Sequence, residues 1–224
     1  MTVDLEIPLA GTALGGTYVL DERLAARDGD GTLWRGHCLG GPAHVLVRLV
    51  PCASTGEALQ IVDRATIASG EHHPHVAPLR DCGLVNGALV FLVYDLDAGE
   101  TLGVFLRRRA CSPAETLHIA DQLLSALESA HFRDTLHCGI DEDAIFVRQL
   151  EDGLSADLLD LGVATTTHRS AYDDICSLAA LLVQMTNQPL PQPFGRLIDR
   201  AIGPRATGWS SAGELRAALR NALT

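Results

Sequence analysis

No apolar run in this chain of 224 residues reaches the length of a transmembrane helix. The N-terminus also lacks a basic segment followed by an apolar core, which is the pattern of a secretory signal peptide. Because both targeting patterns are missing, the sequence predicts a cytoplasmic protein that neither spans nor binds a membrane.

Positive charge is scarce. The 17 basic side chains stand against 28 acidic ones, for a formal net charge of −11 at pH 7. This balance argues against nucleic acid or an anionic membrane as a partner. Hydrophobic residues make up 47% of the chain and charged residues only 20%, which excludes a disordered protein. The length allows one domain or two small lobes.

Metal-ligating patterns are missing as well. The six cysteines have no C-x-x-C spacing and predict free thiols, not a zinc site (Cys38, Cys52, Cys82, Cys111, Cys138 and Cys176). His72, His73 and His75 lie close together in sequence, but no carboxylate or cysteine at ligand spacing completes a site. We therefore expect no structural metal and no cofactor.

One stretch carries most of the information. Residues 137 to 147 read H-C-G-I-D-E-D-A-I-F-V, and residues 158 to 162 read L-L-D-L-G. Between them, Glu151-Asp152-Gly153 lies between two apolar runs, and Asp-Gly between β-forming residues predicts a hairpin. A loop, a short hairpin and an Asp-x-Gly tripeptide therefore follow one another.

This order resembles the catalytic segment of bacterial Hanks-type Ser/Thr protein kinases, in which H-R-D-x-x-x-x-N precedes a hairpin that ends in D-F-G. The resemblance covers roughly residues 17–223. It implies an α+β, two-lobed, protein-kinase-like fold, with a small antiparallel β lobe carrying one helix and a second lobe that is mostly helical. Residues 1–16 are then a lead, with a possible strand at Leu5 to Leu9. Residues 17–97 form the first lobe, and 98–224 form the second.

Within the catalytic segment, the resemblance implies loss of chemistry. Gly139 stands where the family has the Asp that accepts the substrate proton, and Asp141 stands where it has a phosphate-contacting Lys. Ala144 replaces the Asn that holds the second Mg²⁺. Asp160 matches the Mg²⁺-binding Asp and is expected to be a vestigial metal ligand. Catalysis is therefore not predicted.

Two further residues match family positions whose role is architectural. His137 corresponds to the His of the catalytic loop. Asp174 opens an apolar helix and corresponds to the Asp that holds the backbone of that loop. Both are predicted to be structural anchors.

The nucleotide-binding positions of the first lobe are also altered. Arg48 replaces the strand Lys and Arg64 replaces the helix Glu, so their ion pair cannot form. The glycine-rich loop keeps only its last glycine in register (Ala26, Asp28 and Gly31). Three larger residues stand where the adenine would lie (Leu46, Tyr94 and Phe146). The resemblance therefore implies no ATP binding.

Eleven residues, 163 to 173, separate Gly162 from Asp174, where an active kinase has its activation segment. The sequence thus predicts an inactive pseudokinase that acts as a protein-binding or regulatory module, with another protein or a second copy as partner. The face near residues 163–172 and 189–194 is the predicted contact. The alternatives are a transferase with other chemistry on the same fold, or residual nucleotide binding or phosphotransfer through Asp160.

Overall fold

A computed structural model describes residues 8–27, 31–41, 43–70, 72–95, 98–163 and 170–222. The chain divides into two compact units. The first contains residues 1–72 and 77–98, and the second contains residues 73–76 and 99–224. Within the described ranges, no helix is long and apolar enough to cross a membrane.

The first unit is a six-stranded antiparallel sheet with one helix. Its strand order is β1-β2-β3-β4-β6-β5. The elements are β1 (Ala13–Leu14), β2 (Tyr18–Arg27), β3 (Gly31–Cys38), β4 (His44–Pro51), α1 (Thr55–Ala68), β5 (Leu79–Leu84) and β6 (Leu89–Tyr94).

Strand β4 lies inside this sheet, paired with β3 on one side and β6 on the other. Its sequence is rich in valine and leucine, as expected for a strand that is covered on both faces. Val45, Val47 and Leu49 point to one face and join Leu20, Trp34 and Phe91 in a core cluster. The alternation of side chains along the strand therefore turns Leu46 and Arg48 to the other face.

Helix α1 begins at the N-cap Ser54, whose hydroxyl accepts a hydrogen bond from the backbone N–H of Glu57. Its buried residues are spaced three to four apart and form one face (Ala58, Ile61, Ala65 and Ala68). The helix packs on β5 and β6.

The second unit combines a three-stranded sheet with five helices. The sheet order is β7-β8-β9. The elements are β7 (Glu100–Thr101), α2 (Leu102–Arg108), α3 (Pro113–Phe132), β8 (Ile145–Leu150), β9 (Gly153–Leu158), α4 (Ala171–Gln184), α5 (Phe194–Ile202) and α6 (Ala212–Asn221). A short 3₁₀ turn, Arg205–Thr207, precedes α6.

Helix α3 is the centre of this unit, because it packs on β9, α4 and α6. It starts with a complete capping box, in which Ser112 and Glu115 each bond the other's backbone N–H, and Pro113 follows the cap. Gln122 then ties the helix to the strand: its Oε1 accepts from the N–H of Ala156 at 2.8 Å, and its amide donates to Leu154 O at 3.1 Å.

The predicted α+β class, with a small β unit carrying one helix and a mostly helical second unit, is confirmed. The hairpin predicted at Glu151-Asp152-Gly153 joins β8 and β9. The strand expected at Leu5 to Leu9 lies largely outside the described residues, whereas Ala13–Leu14 pairs with β2, inside the segment taken as a lead. The glycine turn before β3 lies outside the described residues.

All six cysteines are free thiols, as the sequence predicted. Cys111 is buried, and burial raises the pKa of its thiol to about 11. Among the described residues, no group of three or more His, Cys, Asp or Glu side chains is arranged to hold a metal ion.

Candidate functional site

The centre of the candidate site is the buried carboxylate of Asp174, in the first turn of α4. Its Oδ2 accepts hydrogen bonds from the His131 Nε2–H and the His137 backbone N–H, both at 2.9 Å, and its Oδ1 accepts from the Cys138 N–H at 2.6 Å. The side chain is 1% exposed. Burial alone would raise the pKa of Asp174, but the bonds from His131, His137 and Cys138 outweigh it and lower that pKa below its ordinary value.

The His137 side chain continues this frame. Its Nε2–H donates to the backbone carbonyl of Leu159 at 2.7 Å, and its Nδ1 accepts from the Gly139 N–H at 3.2 Å. Both ring nitrogens thus bond backbone groups, and the bond to Leu159 links the loop to the segment after β9. His137 is buried and holds the loop in place.

The loop backbone adopts an unusual conformation at Cys138, where φ is +61°. Residues other than glycine rarely adopt a positive φ, and such a residue keeps it only when surrounding contacts hold the backbone in place. The two hydrogen bonds from residues 137 and 138 to Asp174 supply that constraint.

Downstream in the same loop, Asp141 has a local role. Its Oδ1 accepts from the N–H groups of Asp143 at 2.9 Å and Ala144 at 3.0 Å, which forms a tight Asx-type turn. The carbonyl of Ala144 accepts from the Leu159 N–H at 2.8 Å. This bond therefore joins the loop to the segment after β9 that carries Asp160.

The two predicted losses in the loop have different surroundings. A Cβ placed on Gly139 would have no atom within 4 Å, so the position is open. Ala144 is fully buried. The neighbouring Asp143 is directed toward α2, because a Cβ on Gly103 would lie 3.0 Å from its Oδ1.

Asp160 and Gly162 both have positive φ angles, of +59° and +75°. The chain therefore turns sharply directly after β9, and Val163 N–H bonds the carbonyl of Asp160 at 3.2 Å. Asp160 is buried and Leu161 packs into the interior. The tripeptide is a structured turn that presents one carboxylate.

Sequence reasoning missed an ion pair on the hairpin between a partly exposed arginine, Arg148, and a buried carboxylate, Asp157. Arg148 Nη2 of β8 lies 2.7 Å from Asp157 Oδ2 of β9. Burial raises the pKa of Asp157, although the charges of Arg148 and His75 oppose the shift. The alternation along the two strands could have shown that these side chains share a face, but not that Asp157 is buried.

Two of the three neighbouring histidines, His73 and His75, belong to the second unit and make structural contacts there. His73 Nδ1 accepts from the His75 N–H at 3.1 Å, and its Nε2 lies 3.1 Å from Ser125 Oγ. His75 Nδ1 lies 3.1 Å from the Ala156 carbonyl. These bonds attach residues 73–76 to α3 and β9.

In the first unit, the predicted nucleotide positions are spread over the sheet. Arg48 is 2% exposed on the central strand β4. Leu46 and Tyr94 are direct partners on β4 and β6, and both are buried. Arg64 is half-buried on α1. Phe146 belongs to the second unit, where it is buried on β8.

The predicted phosphate loop is only partly visible. Ala26 pairs with Thr32 in the ladder between β2 and β3. Asp28 lies outside the described residues. Gly31 has φ +99°, and a Cβ there would collide with the carbonyl oxygen of Leu49, so this glycine is required by the sheet itself.

A feature of composition bears on the same site. All 17 basic side chains of the sequence are arginines, so no lysine is present anywhere in these 224 residues. A kinase-type phosphate site uses Lys as a compact point charge, which the planar guanidinium does not reproduce. The sequence therefore offers arginine but no lysine at any position.

The lowered pKa of Asp174 predicts acid sensitivity. Because the pKa of Asp174 is lower in the folded state, its ionised carboxylate stabilises the fold at pH values above the unfolded-state pKa of about 3.9. This stabilisation is lost as the pH falls toward the folded-state pKa. We expect the urea midpoint of the wild type to fall between about pH 5 and about pH 3 by more than that of Asp174→Asn, which has no carboxylate to protonate. Equal pH dependence of the two proteins would contradict the assignment.

Comparisons with known proteins agree with the sequence resemblance. No protein-family model matches the chain. Curated relatives are bacterial Ser/Thr protein kinases: pkn2 of Myxococcus xanthus is 26% identical over 147 residues, which is 66% of this chain and 18% of the relative. PknH of Mycobacterium bovis is 29% identical and covers 68% of this chain, and PknD of Mycobacterium tuberculosis is 24% identical and covers 84%.

Among solved structures, the crystal structure of Rad53 1-466 in complex with AMP-PNP superimposes with a TM-score of 0.70 at 15% identity, over 89% of this chain and 64% of that chain. The fold is therefore protein-kinase-like, and the predicted resemblance is confirmed. The chain spans about a quarter or less of the length of these three curated relatives, since it covers 18% to 27% of them.

Proposed function

We propose that this protein is a pseudokinase, which uses the kinase-like fold to bind another protein and transfers no phosphoryl group. The observation that carries the proposal is the contrast within the His137 loop. The frame that holds the loop has all its hydrogen bonds, from Asp174, His137 and Leu159, whereas Gly139 offers no proton acceptor. A positioned general base contributes about 10²–10⁴ in rate.

The residues present do not fit the Mg²⁺ that a kinase requires. Mg²⁺ is bound by several oxygen ligands in near-octahedral geometry. Asp160 keeps one carboxylate, but Ala144 presents a buried methyl group, and its carbonyl already accepts from the Leu159 N–H. The carboxylate of Asp143, which precedes Ala144 in the chain, is directed toward α2.

ATP binding has no support in the first unit either. Arg48 cannot form the Lys–Glu pair with Arg64, because both side chains are cationic. The sequence has no lysine with which another position could compensate. Because these parts act together in an active kinase, the loss of several of them leaves little that a single residue such as Asp160 could restore.

A binding role is supported by the surface of the second unit. Large apolar side chains are exposed there, among them Phe132 at the end of α3, Val183 on α4 and Ile202 on α5. Val183 is 47% exposed on a helix that is apolar for most of its length. An exposed apolar surface marks a protein interaction site only when it is contiguous, and the Val183→Glu variant tests whether α4 belongs to such a surface.

We expect 1 mM ATP with Mg²⁺ or Mn²⁺ to leave the melting temperature of the protein unchanged. A ligand that binds the folded state at a concentration of about 100 times its Kd would stabilise it by about 2.7 kcal/mol, which is a shift of several degrees for a chain of this size. A thermal-shift assay measures the effect, with an active protein kinase as the positive control.

The Asp160→Ala variant is the matched comparison for this experiment. If the wild type is stabilised by nucleotide and metal and Asp160→Ala is not, the pseudokinase proposal fails and residual binding through Asp160 replaces it. If neither protein responds, and both capture the same proteins from a native lysate, the site is not used for nucleotide chemistry.

A further inference from the structure

A groove of about 730 Å³ opens in the second unit, away from the His137 loop. Its walls come from the first turns of α3, the start of α5, Pro191 in the segment before α5, and the end of α6. Pro113, Leu117, Phe194 and Leu219 supply a mostly apolar surface. The volume is in the range of small-molecule sites, which are largely apolar with a few converging polar groups.

The polar end of the groove contains Asp121 and Arg220. Arg220 binds Asp121 side-on, with Nε at 2.6 Å from Oδ1 and Nη2 at 2.8 Å from Oδ2. Arg216, one turn earlier on α6, also bonds Asp121, through Nε at 3.0 Å. The bond from Arg220, followed by that from Arg216, lowers the pKa of Asp121 to about 2, so the carboxylate is ionised.

This arrangement leaves donor capacity at Arg220. Its Nε and Nη2 are engaged by Asp121, while its Nη1 makes no hydrogen bond to any residue in the described part of the chain. Two guanidinium groups face one carboxylate, and the additional contact from Arg216 to the exposed Glu128 is long, at 3.4 Å. The carboxylate oxygens of Asp121 are therefore already engaged by Arg216 and Arg220 and are not expected to accept a hydrogen bond from a ligand.

The second polar group, His118, is also a donor. The Oε1 of Gln122 accepts from the Ala156 N–H, so its amide nitrogen faces the Leu154 carbonyl and His118 Nε2, the latter at 2.8 Å. An amide N–H can only donate, and His118 Nε2 is thus the accepting nitrogen of a neutral ring. The proton of His118 is on Nδ1.

We propose that this groove binds a small apolar monocarboxylate, with its apolar body against Leu117, Phe194 and Leu219 and its carboxylate at Arg220 and His118. The wall is mostly apolar, the Asp121 carboxylate is engaged by two arginines, and Arg220 and His118 supply N–H donors, so the complementary ligand has an apolar body and oxygen acceptors at one end. Carboxylate is an anion that a guanidinium binds well, and hydrogen bonds between a charged donor and a charged acceptor are stronger than those between neutral groups.

Decanoate is a suitable probe, and 1-decanol is its matched control, because the two differ only in the headgroup. Isothermal titration calorimetry below the micelle concentration should show one site for decanoate. Decanol should bind at least about tenfold more weakly, which is the range expected for a charge-assisted hydrogen bond.

Two arginine variants separate recognition from general charge. Arg220→Gln should weaken decanoate binding by about tenfold or more, whereas Arg216→Gln removes the same charge from the same helix and should leave binding within about twofold. Each variant leaves Asp121 with one arginine partner, so both variants should fold. A melting temperature close to that of the wild type verifies this. Ala114 is an exposed residue of the groove lining, so the large side chain of Ala114→Trp should fill part of the groove and prevent decanoate from binding.

The proposal is overturned if decanoate does not bind to the folded wild type. It is also overturned if decanol binds as tightly as decanoate, or if Arg216→Gln and Arg220→Gln weaken binding equally. These outcomes concern only the groove. They are independent of nucleotide binding at the His137 loop, which the thermal-shift assay tests.

Discussion

Replacing Asp174 by alanine is expected to lower the free energy of unfolding by about 3–5 kcal/mol, the range for breaking a buried charge-assisted network. The substitution removes the acceptor of two backbone N–H groups and of His131 Nε2–H. Each buried donor left without a partner costs about 1–3 kcal/mol. Urea denaturation, analysed with the same m-value for both proteins, measures the loss in the free energy of unfolding.

Asp160→Ala is the comparison within the same site, and its effect should be smaller. Asp160 also is buried and has a positive φ of +59°, so alanine there carries a backbone cost of about 1–2 kcal/mol in addition to any lost hydrogen bond. Asp174→Asn, which keeps the volume and one acceptor oxygen, should lie between the two alanine variants. If Asp174→Ala and Asp160→Ala have equal midpoints, Asp174 is not the anchor of the loop.

The secondary structure of this chain could be predicted because its local signals agree with the tertiary contacts. The capping box at Ser112 and Glu115 fixed the start of α3, and Asp152-Gly153 fixed the hairpin between β8 and β9. The spacing of the apolar residues along α1, three to four apart, likewise indicates which face of the helix is buried. These patterns act over a few residues and are visible in sequence.

The resemblance to protein kinases singled out Asp174 and His137, and the structure shows which backbone groups their side chains bond. What could not be predicted is burial of charged groups. Arg48 and Asp157 are charged residues on strands, and the sequence gives no sign of whether such a residue faces solvent or the interior. Burial depends on residues far away in sequence, such as Gln122 of α3, which bonds the backbone of β9 beside Asp157.

A second error concerns the predicted contact face. Because residues 163–173 are too few for an activation segment, residues 189–194, which end at Phe194, were expected to lie on an open surface. The structure starts α5 at Phe194 and buries its ring, at 6% exposure. Phe194 is therefore not an exposed residue of that face, and a charge introduced there would be buried.

Phe194→Glu is expected to unfold the second unit or to destabilise it by at least about 4 kcal/mol. The loss combines removal of a buried ring, at about 3–5 kcal/mol, with burial of an unpaired charge. Circular dichroism during urea denaturation measures the change. The groove that Phe194 lines would be lost with the fold, so this variant cannot test any interface.

Val183→Glu is the matched variant that can test the interface. Val183 is 47% exposed on α4, so the glutamate carboxylate reaches water and the free energy of unfolding should change by no more than about 0.5 kcal/mol. If α4 is the binding face, Val183→Glu should lose the proteins that the wild type captures while its melting temperature stays the same. Retention of every captured protein by a folded Val183→Glu variant would place the binding face elsewhere. A large loss of stability in Val183→Glu would instead contradict the exposure of α4.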